Sequence, residues 1–183
     1  MPVLRVVAIP LWRRFALASI SLALCALLFH GQIADALVTR GDSFLQAGKA
    51  GRAAGYYRRA LWWDPTSAVA ADRFVFVGFQ LRSRGALDAA IAVANDALSR
   101  TPGERTLLLD RALCLQAEHR FSEARSDFAR AAEIGREPQL LHFAGQAALH
   151  SGDRRAARRY WREALQIDPS FEPAKLALRG VTP

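Results

Sequence analysis

At 183 residues and 20.1 kDa the chain has room for one ordinary domain with an appendage, and not for two catalytic domains. Apolar residues make up 51% and charged residues 23%, a composition that excludes an unfolded chain. The net charge of +8 is thinly spread: residues 1–34 carry Arg5, Arg13 and Arg14 and no acid, while the rest carries 22 bases against 17 acids, too even a balance for a nucleic-acid partner.

In chain order, residues 1–14 are a short basic segment ending in Arg13 and Arg14. Residues 15–29 read FALASISLALCALLF without a charge, and continuing to Ile33 gives nineteen residues. As helix that run is about 28 Å long, close to the thickness of a bilayer core. A transmembrane helix is therefore expected over 15–33. The arginines before it and Asp35 after it put residues 1–14 in the cytoplasm and everything beyond across the membrane. Arg supplies 23 of the 25 basic residues, which fits a GC-rich bacterial genome, so the expected location is a bacterial inner membrane with the bulk of the chain periplasmic. Ala34-Asp35-Ala36 is an alternative signal-peptide cleavage site, but a cut there removes the start of the next helix, and an uncleaved anchor is the preferred reading. Cys25 lies in the apolar run and Cys114 in a helical pattern, and both read as small core residues rather than a disulfide.

Beyond the span the sequence repeats itself. Four segments carry a large or apolar residue, a small one four later and a further packed position three after that: Leu37-Gly41-Phe44, Phe74-Gly78-Leu81, Leu108-Ala112-Leu115 and Leu141-Gly145-Ala148. Sixteen residues on from each comes a second helical triplet: Ala53-Tyr57-Ala60, Ala90-Ala94-Ala97, Ala124-Phe128-Ala131 and Ala157-Trp161-Ala164. Gly48, Gly85, His119 and Gly152 stand where each pair reverses. The units are spaced 37, 34 and 33 residues apart, which assigns three extra residues to the connection after Pro65. Unit boundaries follow at 34–67, 71–104, 105–137 and 138–171. Residues 172–183 hold a last helix, 173–179, that starts with Pro and stops at Gly180, as a terminal cap does.

The small-large pattern and the closing Asp64-Pro65 and Asp168-Pro169 resemble the tetratricopeptide repeat over residues 34–171. The resemblance implies an all-α fold: a right-handed α-solenoid of four helix pairs with a C-terminal capping helix, preceded here by the transmembrane helix. It also implies a concave groove, lined by the first helix of each pair, that binds peptides or proteins. Projecting those helices inward gives Val75, Phe76, Phe79 and Arg82; Leu109, Leu113 and Gln116; and His142, Phe143 and Gln146 as the protein-binding set. Unit two departs from the pattern, with Ala94 where the others have an aromatic. The chaperone-tail clamp of some relatives uses Lys and Asn on these helices, and Val38, Asp42 and Phe76 here exclude that ligand.

No catalytic or metal motif is present in the sequence. His30, His119, His142 and His150 lack metal-ligand spacing, no Cys-x-x-Cys occurs, and the glycines stand singly. The expectation is therefore a non-enzymatic membrane-anchored scaffold without cofactor, metal, small-molecule substrate or nucleic acid. Its expected partner is an integral or membrane-proximal protein, and its expected role the assembly or stability of a bacterial envelope complex. The alternatives are a soluble periplasmic adaptor and a cytosol-facing receptor for targeting peptides. The basic stripe Arg154, Arg155, Arg158, Arg159 and Arg162 reads as a solvated outer face.

Overall fold

The computed structural model describes the backbone of residues 11–180 and the side chains of residues 29–180. The described residues form nine helices and no strand: α1 Leu11–Gln46, α2 Ala50–Trp63, α3 Ala68–Leu81, α4 Arg84–Arg100, α5 Arg105–Ala117, α6 Phe121–Gly135, α7 Pro138–His150, α8 Arg154–Ile167 and α9 Glu172–Gly180. Each helix packs on the next, and α3 also packs on α5, the neighbour pattern of stacked hairpins. The basic segment 1–14 falls largely outside the described residues, as do the side chains of 15–28 within the expected span. Among the described residues no helix is long and apolar enough to cross a membrane.

The register of unit two differs from the one expected. Between the two helices of each hairpin the chain takes a left-handed backbone conformation, at Gly48, Arg82, His119 and Gly152, with φ of 70°, 50°, 60° and 86°; Arg136, which ends α6 between two hairpins, takes it as well. The four hairpin residues are spaced 34, 37 and 33 apart, so the long step follows unit two and not unit one. The reversal is at Arg82, and Gly85 lies inside α4. Carrying the spacing through makes Ala71-Val75-Gly78 and Leu87-Ile91-Ala94 the equivalents of the other triplets. All six are buried or nearly so, and five of them join one core with α5 to α8. The three extra residues lengthen the C-terminal part of α4, a 17-residue helix that buries Ala97 and Leu98 in an added turn. They do not lie after Pro65, and α3 begins at Ala68, ahead of the expected boundary at 71.

With that register, one rule holds each hairpin together. The central residues of its two helices share a fixed space, so a small one faces a large one. A Cβ built on Gly41 would overlap the Tyr57 ring, and one on Gly145 would overlap the Trp161 indole. At the equivalent positions unit three has the buried Ala112 and Phe128, and unit two the buried Val75 and Ile91, two middle-sized residues where the others are extreme. Ile91 stands at the position where the other units have an aromatic.

Polar side chains fix the ends. In the two Asp-Pro turns, Asp64 Oδ1 accepts from the Thr66 amide and hydroxyl at 2.9 and 2.7 Å, and Asp168 Oδ1 accepts from those of Ser170 at 2.8 and 2.6 Å. Ser67, Ser83 and Asp153 cap α3, α4 and α8 by accepting from backbone N–H groups. Arg111 ties three helices: it donates to both oxygens of the buried Asp127 on α6 at 2.7 Å and to Asn95 Oδ1 on α4 at 2.7 Å.

Candidate functional site

Residues of three first helices, α3, α5 and α7, line one open concavity of about 450 Å³. Phe79 and Arg82 line it from α3, Leu113, Gln116 and Ala117 from α5, and Phe143 and Gln146 from α7. Leu87, almost wholly buried in α4, forms its floor. The walls are apolar and the rim carries one cation and two amides. Arg82 sits there because its left-handed backbone ends α3, and its guanidinium lies 5.3 Å from the Phe79 ring centroid. Among the described residues it pairs with no carboxylate.

Six of the ten residues proposed from sequence line this trough: Phe79, Arg82, Leu113, Gln116, Phe143 and Gln146. Phe76 is 37% exposed one turn along α3, outside the cavity wall. Leu109 is half-buried against the core. His142 is half-buried too, with Nδ1 shielded and unpartnered and its ring 5.9 Å from Phe171 and 6.3 Å from Trp161, and burial holds its pKa below the ordinary value. Val75 is a correction: it is fully buried, because the true register makes it the hairpin's central residue.

Sequence reasoning missed Asp110, half-buried on α5 one turn before Leu113. Burial, and then the charge of Asp72, push its carboxyl up to about 7, against an opposing pull from Arg73. Arg73 itself lies 3.3 Å from Asp42 and 3.9 Å from Asp72, so two helices share one guanidinium among their acids. An aspartate on a face otherwise read as apolar was the available signal. Cys114, one turn on, is buried with Sγ 3.9 Å from the Val75 carbonyl oxygen, and burial followed by Asp110 raises its thiol to about 12. A thiol held protonated is a packing group and a poor nucleophile. Among the described residues no His, Cys, Asp and Glu cluster suits a metal.

A tetratricopeptide repeat model matches residues 138–171. No curated protein matches the chain in sequence. Among solved structures, the crystal structure of MamA protein aligns with a TM-score of 0.68 at 18% identity, over 74% of this chain and 73% of that one. MamA 41-end from Desulfovibrio magneticus RS-1 gives 0.66 at 14% identity over 76% and 77%, and Pseudomonas aeruginosa PilF gives 0.63 at 21% identity over 82% and 68%. The array thus shares the fold of these proteins, and residues 138–171, the fourth unit, match a tetratricopeptide repeat in sequence. That unit has the Gly145 and Trp161 pair, the Asp168-Pro169 turn and no inserted residues, whereas unit two has none of these three.

Proposed function

We propose that the chain is a scaffold tethered to a bacterial inner membrane by residues 15–33, with its repeats on the periplasmic side. Its trough takes up an apolar segment of a membrane-proximal protein and so supports assembly or stability of an envelope complex. The observation that carries this is the convergence of three helices on one apolar concavity rimmed by Arg82, Gln116 and Gln146. Such a surface suits an amphipathic helix or an extended apolar strand, with the amides and guanidinium satisfying the visitor's polar groups. The tether reading is supported by α1, which continues without a break from the apolar run into the first repeat. Ala34, fully buried under α2, would be removed by cleavage after Ala36, which favours an uncleaved chain.

The test is affinity capture of the full chain in mild detergent, comparing wild type with Phe76→Asp plus Phe143→Asp. Phe143 lines the trough and Phe76 stands beside it one turn along α3, and the two are 38% and 37% exposed, so charge is introduced in and next to the trough and not in the core. Loss of specific partners with unchanged helical content is the expected result. Retention of the same partners refutes the trough. A mature N-terminus near Leu37 refutes the tether and leaves a soluble adaptor.

A further inference from the structure

The first unit carries an exposed aromatic that the trough does not explain. Trp62, near the end of α2, is 74% exposed, and it packs edge-to-face on the half-buried Trp63 with centroids 5.1 Å apart. In the observed register its equivalents in the other units are Asp96, Glu133 and Gln166. Only the unit adjoining the apolar run bears an indole there.

The height of that indole follows from the first hairpin. α1 and α2 run antiparallel and are pinned by Gly41 against Tyr57 and by the Tyr57 hydroxyl donating to Asp42 at 2.7 Å. At about 1.5 Å per residue, Trp62 stands level with Ala36, about 5 Å beyond Ile33, the end of the apolar run. Asp64 stands lower still. Its carboxyl is held below the ordinary value by the Thr66 hydroxyl first, and also, despite slight burial, by the Thr66 amide and by the charge of His30. By the same rise per residue the α2–α3 turn comes to about the level of the end of the run. Each polar layer of a bilayer is about 5–8 Å deep, so a chain tethered by 15–33 holds this turn among the headgroups. Phe29, 48% exposed, lies on the same stretch of α1 as His30.

We propose that Trp62 and Trp63 form a second contact with the membrane that α1 enters, an indole pair seated at the boundary of headgroups and acyl chains. The proposal rests on the tether reading. The occupant is lipid because the uninterrupted α1 leaves no spacer between bilayer and repeat, and because an amphipathic indole favours that depth. The contact fixes the tilt of the array, so the trough is held at one height and orientation over the membrane and does not swivel about its tether.

The experiment uses the full chain in phosphatidylcholine vesicles, with Cys25→Ser and Cys114→Ala and one nitroxide at Trp62→Cys or, as control, at Lys49→Cys, the far end of α2. Flotation with the vesicles tests the tether. In floating material, collision with an aqueous nickel chelate is expected to be several-fold lower at position 62 than at 49. Equal exposure in material that floats overturns the lipid contact alone, and makes a protein the cover of the pair. Failure to float overturns the tether and this proposal together. A second measurement leaves Trp62 in place: in a Trp12→Phe chain, lipids brominated near the headgroups are expected to quench emission, since Trp161 is buried in the core. Unchanged emission refutes the contact.

Discussion

Replacing Gly145 by Ala tests the rule that a hairpin's central pair shares a fixed volume. The added methyl would meet the indole nitrogen of Trp161, with Cδ1 and Cε2 both 2.7 Å away. Trp161 is 1% exposed, and its Nε1 donates to the His142 carbonyl oxygen at 3.2 Å. The ring is enclosed in the core and cannot yield without losing that bond. Overpacking costs about 1–3 kcal/mol, and the hydrogen bond contributes about 1 kcal/mol. Against this, Ala is better than Gly in a helix by about 1 kcal/mol. The expected net loss is about 2 kcal/mol, which for a chain of this size lowers Tm by roughly 4–8 °C. Gly55→Ala is the matched control: Gly55 lies within α2 and a Cβ there meets nothing within 4 Å. It should gain about 0.5–1 kcal/mol. Thermal unfolding of the full chain in mild detergent, followed by far-UV circular dichroism, reads both. If Gly145→Ala raises Tm as Gly55→Ala does, helix propensity outweighs packing and the account of the pairs is refuted.

Two further outcomes follow from the charged groups. Asp127→Ala leaves the Arg111 guanidinium, with a side chain only 18% exposed, bonded to Asn95 alone; the expected cost is about 3 kcal/mol in urea unfolding, and a change under 1 kcal/mol would make the tie decorative. Asp110→Asn reports on pH. Because the native carboxyl holds its proton to about 7, against an ordinary 3.8, the native state binds more protons than the unfolded chain between these values, and stability contributed by this group falls as pH rises through that window. The full linkage is about 4 kcal/mol, and the partial exposure of the carboxyl reduces it to about 2 kcal/mol. His142, whose native pKa lies below the ordinary value, pulls the other way, losing stability as pH falls. The difference between wild type and Asp110→Asn at pH 5 and pH 8 isolates the aspartate. The variant should gain on wild type at pH 8, and no gain there contradicts the burial argument.

The repeats were legible because each small residue has to face a large one, and Gly41 with Tyr57 or Gly145 with Trp161 announce that geometry at a fixed spacing of sixteen residues. Unit two concealed its register for the same physical reason. Val75 and Ile91 meet the volume requirement with two middle-sized side chains, so neither stands out, while Ala90, Ala94 and Ala97 imitate the pattern three residues later. Three residues are nearly one helical turn, and a shift of one turn preserves the apolar stripe. Periodicity alone cannot distinguish the two choices. The backbone can, because the reversal demands a positive φ and the sequence offered Gly85 where the chain uses Arg82.

That same slip decides what was read at the trough. Moving unit two by one turn put Val75 on the concave face, yet Phe79 survived, since a residue one turn away along a helix remains on nearly the same face; Leu113 and Gln146 belong to units three and four, where the register was as expected. Groove composition is thus robust to a one-turn error and groove floor is not. The exposed Trp62 obeys the opposite logic. Its meaning comes from its height above Ile33, not from its face, and that height was fixed only when Gly41 was seen to abut Tyr57 and α1 to run unbroken into the first repeat. A continuous helix turns a sequence distance into a spatial one at about 1.5 Å per residue; under the proposed tether, a loop after Ile33 would leave the first unit free to stand off the bilayer and the indole with nothing to rest on.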